Sequence, residues 1–520
     1  MSTSTLSSSA ARQRPPPVLS VPAAALAGAV AVLAALGAGH LVAGYLDPQS
    51  SPYLAVGNSF IDRTPAWLKD FAISTFGTHD KLALLVGMGL VLAVFGSAAG
   101  VLCRRNRAAG VGFIVLLGVL GTLAVLGRPD TEAIGVLAPL AATVTGVVVL
   151  LVLIHQATPD AVGGPVSRRT FLGTATAIAA AAGLGAVIGQ RARNSADVAA
   201  SQAAVGTVAP INALPPVPVG ADFVADGGLP FITSNDGFYR IDTAFDPPRI
   251  RAEDWSLRIH GMVDTEVNIN FAQLMARPQL AQRVTFTCVS YEVGGDLVST
   301  ADWVGVSLRD LLLQAGVRPE ADQIFSTSTD GFTASTPVEV VMQPDRGAML
   351  AVNMNGQPLP VKHGFPVRML VPGLYGFVSA TKWITDIELT TYAAKQAYWT
   401  PRGWSDHGPV KIASKITAAR RSVGVSSNTV TVTGAAWAQH IGIAGVQVRV
   451  DGGAWQDARL GSDGGRDAWR MWRVDAPGVS KGSHTVECRA KGSDGTVQTE
   501  KMASPAPDGA TGWHSYSFSV

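Results

Sequence analysis

Thr285-Phe-Thr-Cys288-Val-Ser-Tyr291-Glu292-Val-Gly-Gly-Asp-Leu-Val-Ser-Thr-Ala-Asp-Trp303-Val-Gly-Val-Ser-Leu-Arg-Asp-Leu-Leu312 puts one cysteine at the end of a β-type run. A glycine-rich turn follows, then Trp303-Val-Gly-Val and the start of an amphipathic helix. An isolated cysteine is by default a small buried hydrophobe. The ordered sequence of strand, thiol, turn, strand and helix around Cys288 argues against that default. Arg283-Val-Thr-Phe-Thr reads as a strand, Leu308 to Ala315 as a short helix stopped by Gly316, and Pro337 to Val341 and Pro366 to Val371 as strands. Residues 222–407 therefore form an α+β domain.

Four further clusters lie in this domain. Thr233-Ser-Asn235-Asp-Gly-Phe238-Tyr239-Arg240 opens it, and Ser328-Thr-Asp330-Gly-Phe-Thr is a polar turn. Met354-Asn-Gly-Gln-Pro-Leu-Pro-Val-Lys-His363-Gly-Phe-Pro-Val-Arg368 and Val371-Pro-Gly-Leu-Tyr-Gly376-Phe-Val-Ser-Ala380-Thr381-Lys382-Trp383 follow. Taken singly, each basic residue here is a solvated charge and Asn235 an Asx turn. Taken in order after the Cys288 segment, over about 180 residues, they resemble the sulfite-oxidase family of molybdenum enzymes. The resemblance implies that Cys288 binds molybdenum beside the two sulfurs of a pterin dithiolene, a soft ligand suited to such an ion. It implies that Asn235, Phe238 and Tyr239 contact the pterin and that Asp330 helps shape the site. His363, Arg368 and Lys382 would converge on the cofactor's phosphate, with backbone groups of Ala380 and Thr381; anionic oxygens need cationic and N–H donors.

The pattern departs from the animal and plant members where they bind a sulfite dianion with arginines. The positions after Cys288 hold Tyr291, Glu292 and Val293, and the domain's opening reads Thr-Ser-Asn. A carboxylate at an anion pocket repels its substrate, so the cofactor survives this comparison and sulfite as substrate does not. Lys395 and Arg402 remain for anion binding, the latter in Trp399-Thr-Pro-Arg402-Gly-Trp404. Tyr291 and Glu292 are candidates for proton handling beside the metal, against a purely structural role.

The other segments place this domain. A chain of 520 residues exceeds one core, and a net charge of +2 gives no footprint for nucleic acid. Three cysteines, Cys103, Cys288 and Cys488, exclude a disulfide framework. The excess apolar content lies in residues 19–193, where runs at roughly 20–45, 81–102, 109–127, 133–155 and 171–190 are long enough to span a bilayer. Arg12 and Arg14, Arg104 to Arg107, and Arg168 with Arg169 fall on one side of these five spans. The positive-inside rule makes that side cytoplasmic, including the tail 1–18, and everything after about residue 190 extracytoplasmic. Ser167-Arg168-Arg169-Thr-Phe-Leu is similar to a twin-arginine export signal, with plain basic flanking of a helix as the alternative. Residues 194–221, rich in Ala, Val and Pro, read as an extended linker. Residues 408–520 alternate in the strand period and read as an immunoglobulin-like sandwich similar to the family's dimerisation domain. Its Trp455, Trp469 and Trp472 read as packing.

The expected protein is a multi-pass bacterial membrane enzyme with an outward-facing molybdopterin domain. It would carry out two-electron oxygen-atom transfer on a small S- or N-oxide or oxyanion, pass electrons to a separate cytochrome or quinone-linked partner, and form a homodimer or not. No haem is expected, since His40, His79 and His155 sit at helix ends. A non-catalytic binding module that kept the fold is the alternative reading.

Overall fold

The computed structural model describes residues 19–520 except 66, 67, 69, 70, 72–74, 77–79, 129, 130, 132, 159–167, 194, 195, 245 and 422–428. The N-terminal tail with its two arginines, His79 and Ser167 therefore lie outside the described residues. The chain divides into two compact units, Met1–Ser195 and Ala196–Val520.

The first unit is helical: α1 Val21–Leu46, α2 Pro52–Arg63, α3 Asp80–Leu102, α4 Arg107–Leu126, α5 Leu137–Ala157 and α6 Arg168–Arg193. Five of these helices, all but α2, are long and apolar enough to cross a membrane. The short α2 has no counterpart in the apolar runs of the sequence. Helix α1 is central and packs on α3, α5 and α6. It does so through glycines: a Cβ on Gly28 would stand 1.9 Å from the Gly96 carbonyl oxygen, and one on Gly100 1.9 Å from that of Ala24. Such backbone-to-backbone approach needs residues without a side chain at the contact. His40 joins the helix ends, with Nδ1 3.1 Å from Ser51 Oγ and Nε2 3.2 Å from Gln190 Oε1.

The second unit begins with α7 Ala196–Val205, which corrects the expected linker. Ser201 Oγ donates to Glu253 at 2.8 Å, Gln202 Nε2 to the Leu359 carbonyl at 2.7 Å, and Asn212 Nδ2 to that of Ala281 at 2.9 Å. The alanines that suggested a loose spacer are good helix formers, and this stretch straps the domain that follows.

That domain is α+β. One sheet has the order β2 (Val267–Asn270), β1 (Ser256–Gly261), β10 (Ile384–Thr390), β5 (Gln323–Ser328), β6 (Thr333–Pro337). Only β1–β10 is parallel, so the two ends of the domain meet in one sheet. The other runs β3 (Gln279–Thr287), β4 (Val298–Ser307), β7 (Met349–Met354), β8 (Gln357–Pro358), with β9 (Arg368–Leu370) also on β7. The helix Leu308–Ala315 lies where its spacing predicts, and Gly316 closes it at φ 68°. Pro337–Val341 is only partly a strand: β6 ends at Pro337 and Val338–Val341 is a helical turn. Val338 and Val341 are buried while Glu339 is exposed, a spacing of three that the β-branched composition hid.

Two antiparallel four-stranded sheets complete the unit. Their orders are β11 (Ala413–Arg421), β12 (Val430–Trp437), β16 (Arg470–Ala476), β15 (Arg459–Leu460), and β14 (Gln456–Asp457), β13 (Ile443–Val450), β17 (Ser483–Gly492), β18 (His514–Ser519). Val432 and Trp472 of the first share one core with Val448 and Cys488 of the second. Another core, containing Phe231, Tyr291, Trp437 and Trp469, is common to these sheets and the α+β domain. Trp469 and Trp472 are buried as packing residues. Trp455 is instead half-buried, edge-on to Trp513 at 5.0 Å and under the guanidinium of Arg489 at 4.2 Å.

Candidate cofactor cleft

Cys288 follows the last residue of β3, and its N–H donates to the Leu297 carbonyl at 3.0 Å, so the turn between is a closed loop. The thiol is buried. Burial pushes its pKa up, against hydrogen bonds from the backbone and hydroxyl of Ser290 and the charge of Lys382. An apolar site thus holds the sulfur protonated until a cation replaces the proton.

The basic residues are drawn into the same domain interior. His363, 1% exposed, has Nε2 2.9 Å from the Asn235 carbonyl oxygen. A carbonyl only accepts, so Nε2 carries the proton and Nδ1 is left as an acceptor. Burial first, then the charges of Lys382 and Arg368, lower the His363 pKa to about 3. Arg368 is 4% exposed and donates from Nη1 to the His363 carbonyl at 3.1 Å. Its guanidinium lies over Trp303 at 5.0 Å and Phe286 at 5.3 Å, and burial lowers its pKa to about 10. Lys382 Nζ donates to the Ile241 carbonyl and to Asp242, each at 3.1 Å. Burial brings its pKa down to about 8, with Asp242 opposing.

Aromatic and amide groups frame these cations. Phe238 stacks on Tyr239 at 5.4 Å and meets Trp303 and His363 edge-on at 5.7 and 5.5 Å. The Tyr239 hydroxyl is pushed well above its ordinary range, by burial first and then by the negative form of Cys288. Asn235 Oδ1 accepts from Asn355 Nδ2 at 2.8 Å, and Asn355, at φ 51°, also takes the Asp302 N–H on its Oδ1 at 2.9 Å. Thr381 is fully buried, its hydroxyl 2.8 Å from that of Ser326. The Ala380 N–H donates to the Gly376 carbonyl at 3.0 Å. Asp330 accepts the Phe332 N–H at 3.2 Å in the β5–β6 turn, and the neighbouring Thr329 N–H reaches the Trp383 carbonyl at 2.9 Å.

Three residues make contacts of another kind. Tyr291 packs edge-on against Trp437 at 5.2 Å, and its hydroxyl accepts the Gly294 N–H at 3.0 Å. Its place is a core, which favours the structural reading. Glu292 is exposed, and its side chain makes no hydrogen bond or ion pair among the described residues. Arg402 lies with its guanidinium 3.8 Å over the Tyr398 ring. Four residues not singled out in the sequence also belong to the cleft: Ser290, Asn355, Asp242 and Tyr375, whose phenol is raised to about 12 by burial and feels Cys288. Asn355-Gly356 is a turn signal on its face, and the other three carry no local mark.

An α+β domain that buries a thiol, a neutral histidine and two cations defines a binder of a soft metal carried on an anionic group. The family model for the oxidoreductase molybdopterin binding domain matches residues 244–399. Mitochondrial sulfite oxidase of Macaca fascicularis is 33% identical over 240 residues, 40% of this chain and 43% of that protein. The uncharacterized oxidoreductase YuiH of Bacillus subtilis is 30% identical over 154 residues, 30% of this chain and 74% of that protein. The solved sulfane dehydrogenase SoxCD from Paracoccus pantotrophus overlays with a TM-score of 0.48 at 22% identity, covering 61% of this chain and 88% of that one. This chain belongs to the sulfite-oxidase family of molybdopterin oxidoreductases. It spans under half the length of the mammalian sulfite oxidases it matches.

The residues present fit a molybdopterin. Arg368 Nε and Trp303 Nε1 are buried donors without partners, on side chains stacked on each other. Buried unpaired donors cost free energy unless a ligand completes them. Among the described residues no group of three or more His, Cys, Asp or Glu could hold a metal ion.

Proposed function

We propose that this chain is a membrane-anchored molybdenum oxidoreductase whose catalytic domain faces away from the cytoplasm. Bound at Cys288, the cofactor would supply two-electron oxygen-atom transfer to or from a small S- or N-oxide or oxyanion. The buried set of Cys288, His363, Arg368 and Lys382 carries this reading. Cys288 would ligate the metal through its thiolate. Arg368, Lys382 and the Thr381 backbone would receive the phosphate, and neutral His363 would hold a pterin group through Nδ1. Asn235, Phe238 and Tyr239 would wall the pterin.

Three further elements belong to the proposal. The five apolar helices would span the membrane, with Arg168-Arg169 as part of a twin-arginine signal. The last two sheets would be an immunoglobulin-like domain. Electrons would leave to a separate cytochrome or quinone-linked partner. Sulfite is the least favoured substrate, because Glu292 and Tyr291 occupy positions that would otherwise carry arginine.

The test is molybdenum per chain in detergent-purified wild type and Cys288→Ser from a cofactor-competent host. About one metal per chain, with a large loss in the variant, is expected, followed by turnover of sulfoxides or N-oxides with redox dyes. Wild type without molybdenum would overturn the enzyme reading in favour of a binding module.

A further inference from the structure

Both sides of Cys288 are held from outside its own domain. Strand β3 pairs with β4 on one edge only. On its free edge the Thr285 N–H donates to the Asp467 carbonyl at 2.9 Å. The Thr285 carbonyl accepts from Gln439 Nε2 at 3.0 Å, and Thr285 Oγ1 accepts the Trp469 N–H at 2.6 Å. Gln439 also reaches Thr287 Oγ1, at 3.3 Å, one residue before the cysteine. Asp467, Trp469 and Gln439 all belong to the last two sheets and their loops.

The loop after Cys288 is gripped as well. Lys415, on β11, keeps only 6% of its side chain exposed and donates from Nζ to the Gly295 carbonyl at 2.6 Å and to Asp296 at 2.9 Å. The Asp296 carboxylate is fully exposed, so that ion pair is weak; the bond to the carbonyl is what justifies burying an ammonium. His514 of β18 closes over Gly294, where a Cβ would stand 2.2 Å from Nε2 at φ 87°. The ring is fixed because its Nδ1 accepts the Ile416 N–H at 2.9 Å. Tyr291 is pinned on Trp437 in the common core.

We propose that the C-terminal sheets are a clamp for the cysteine loop, and that Lys415 is a positioning residue for Cys288. The loop's own bonds run from the Cys288 N–H to the Leu297 carbonyl, the Tyr291 N–H to the Cys288 carbonyl and the Gly294 N–H to the Tyr291 hydroxyl, each at 3.0 Å, and from the Gly295 N–H to the Glu292 carbonyl at 2.8 Å; none of them holds the Gly295 carbonyl that Lys415 grips. A thiol that must meet a metal at one geometry needs supporting bonds of this kind. Lys415 touches no reacting atom; it acts through Gly295. The metal role of Cys288 rests on the proposed function, but the clamp does not, and the test separates them.

The test uses the full-length chain made in a host that cannot supply the cofactor, with iodoacetamide as the probe and mass spectrometry as readout. Cys488, buried in the core of the last two sheets, is the internal control for unfolding. Lys415→Met is expected to speed labelling of Cys288 at least tenfold with Cys488 still protected, and Lys415→Arg to stay within about threefold of wild type. Gly294→Ala, which pushes His514 off the loop from the other side, is expected to do the same as Lys415→Met. In chain from a cofactor-competent host, Lys415→Met should lower molybdenum per chain. Unchanged Cys288 labelling in both Lys415→Met and Gly294→Ala overturns the clamp. Labelling of Cys288 and Cys488 together in both variants also overturns it, because Lys415 then serves general folding. Faster Cys288 labelling in Lys415→Met and Gly294→Ala, together with wild type that takes up no molybdenum in a cofactor-competent host, would uphold the clamp while the enzyme reading fails.

Discussion

The helical unit and the cofactor cleft both bring groups closer than an ordinary core allows, for opposite reasons. In the bundle, Gly28, Gly96 and Gly100 let α1 and α3 touch backbone to backbone. That contact is finished, and nothing more is needed to fill it. In the cleft, Arg368 is buried, Lys382 is half-buried and paired with Asp242 at 3.1 Å, and the charge of each lowers the pKa of His363. Arg368 Nε and Trp303 Nε1 have no acceptor. Such an arrangement costs stability until an anion completes it. Packing in the bundle is an end in itself, whereas the cleft keeps buried donors that an anion would complete.

The largest expected effect breaks the cleft. Arg368→Met removes a buried cation whose Nε is unpaired and leaves an apolar side chain against Phe286 and Trp303. In cofactor-free protein the midpoint of urea unfolding should rise, since replacing buried charge by apolar volume is neutral or favourable by about 1–3 kcal/mol. Molybdopterin affinity should fall roughly 100-fold, the cost of losing one charge-assisted partner at about 3 kcal/mol, and the loss should show as metal released from the chain on dialysis. A variant less stable without cofactor would refute the view that this arginine waits for an anion.

Next comes the bundle. Gly100→Leu must displace α3 from α1, because the clash is with the backbone of Ala24 and not with a flexible side chain. Overpacking of this kind costs about 2–3 kcal/mol, and thermal unfolding of the detergent-solubilised chain should show the helical unit melting earlier. The cleft should keep its molybdenum. Loss of both together would mean the two units are not energetically separate.

A pH series sharpens the contrast further. His363 has a pKa of about 3 when folded, lowered mainly by burial, against roughly 6.5 unfolded. The unfolded chain therefore binds the extra proton first, and stability is lost as pH falls below about 6.5, levelling off near 3. Between pH 7 and 5 the loss is on the order of 2 kcal/mol. Cofactor-free protein and its His363→Gln variant, unfolded in urea at both values, should differ in slope by about that amount. His514, lowered to about 4 by burial and by Lys415, adds a component of the same sign that the His363 variant leaves in place.

What could be read in the sequence follows from how local each signal is. The helix Leu308–Ala315 ends at Gly316 because a stop signal and apolar spacing lie within one short stretch. Cys288, His363, Arg368 and Lys382 were visible because their motifs keep a fixed order along the chain. Asp242 was not, because its partner Lys382 is 140 residues away and nothing beside it in the chain marks the pair. Lys415 sits in an unremarkable strand, and only the fold brings Gly295 to it, 120 residues off. Residues 196–205 failed for another reason: alanine suits a helix and a spacer equally until packing decides.

The smallest expected effect concerns Glu292, four residues beyond Cys288 and so within reach of the cleft by chain distance alone. The cleft's charges are effective because they are buried, and Glu292 is exposed with no polar partner among the described residues. Solvent screens such a charge. Glu292→Gln should therefore shift the unfolding midpoint by no more than about 0.5 kcal/mol and leave metal content unchanged. Turnover with the best oxide substrate should stay within about twofold of wild type. A tenfold fall in turnover at full molybdenum occupancy would give the carboxylate a proton-handling role after all. It would also show that burial is not what separates working charges from idle ones here, because an exposed loop would then be acting on the chemistry.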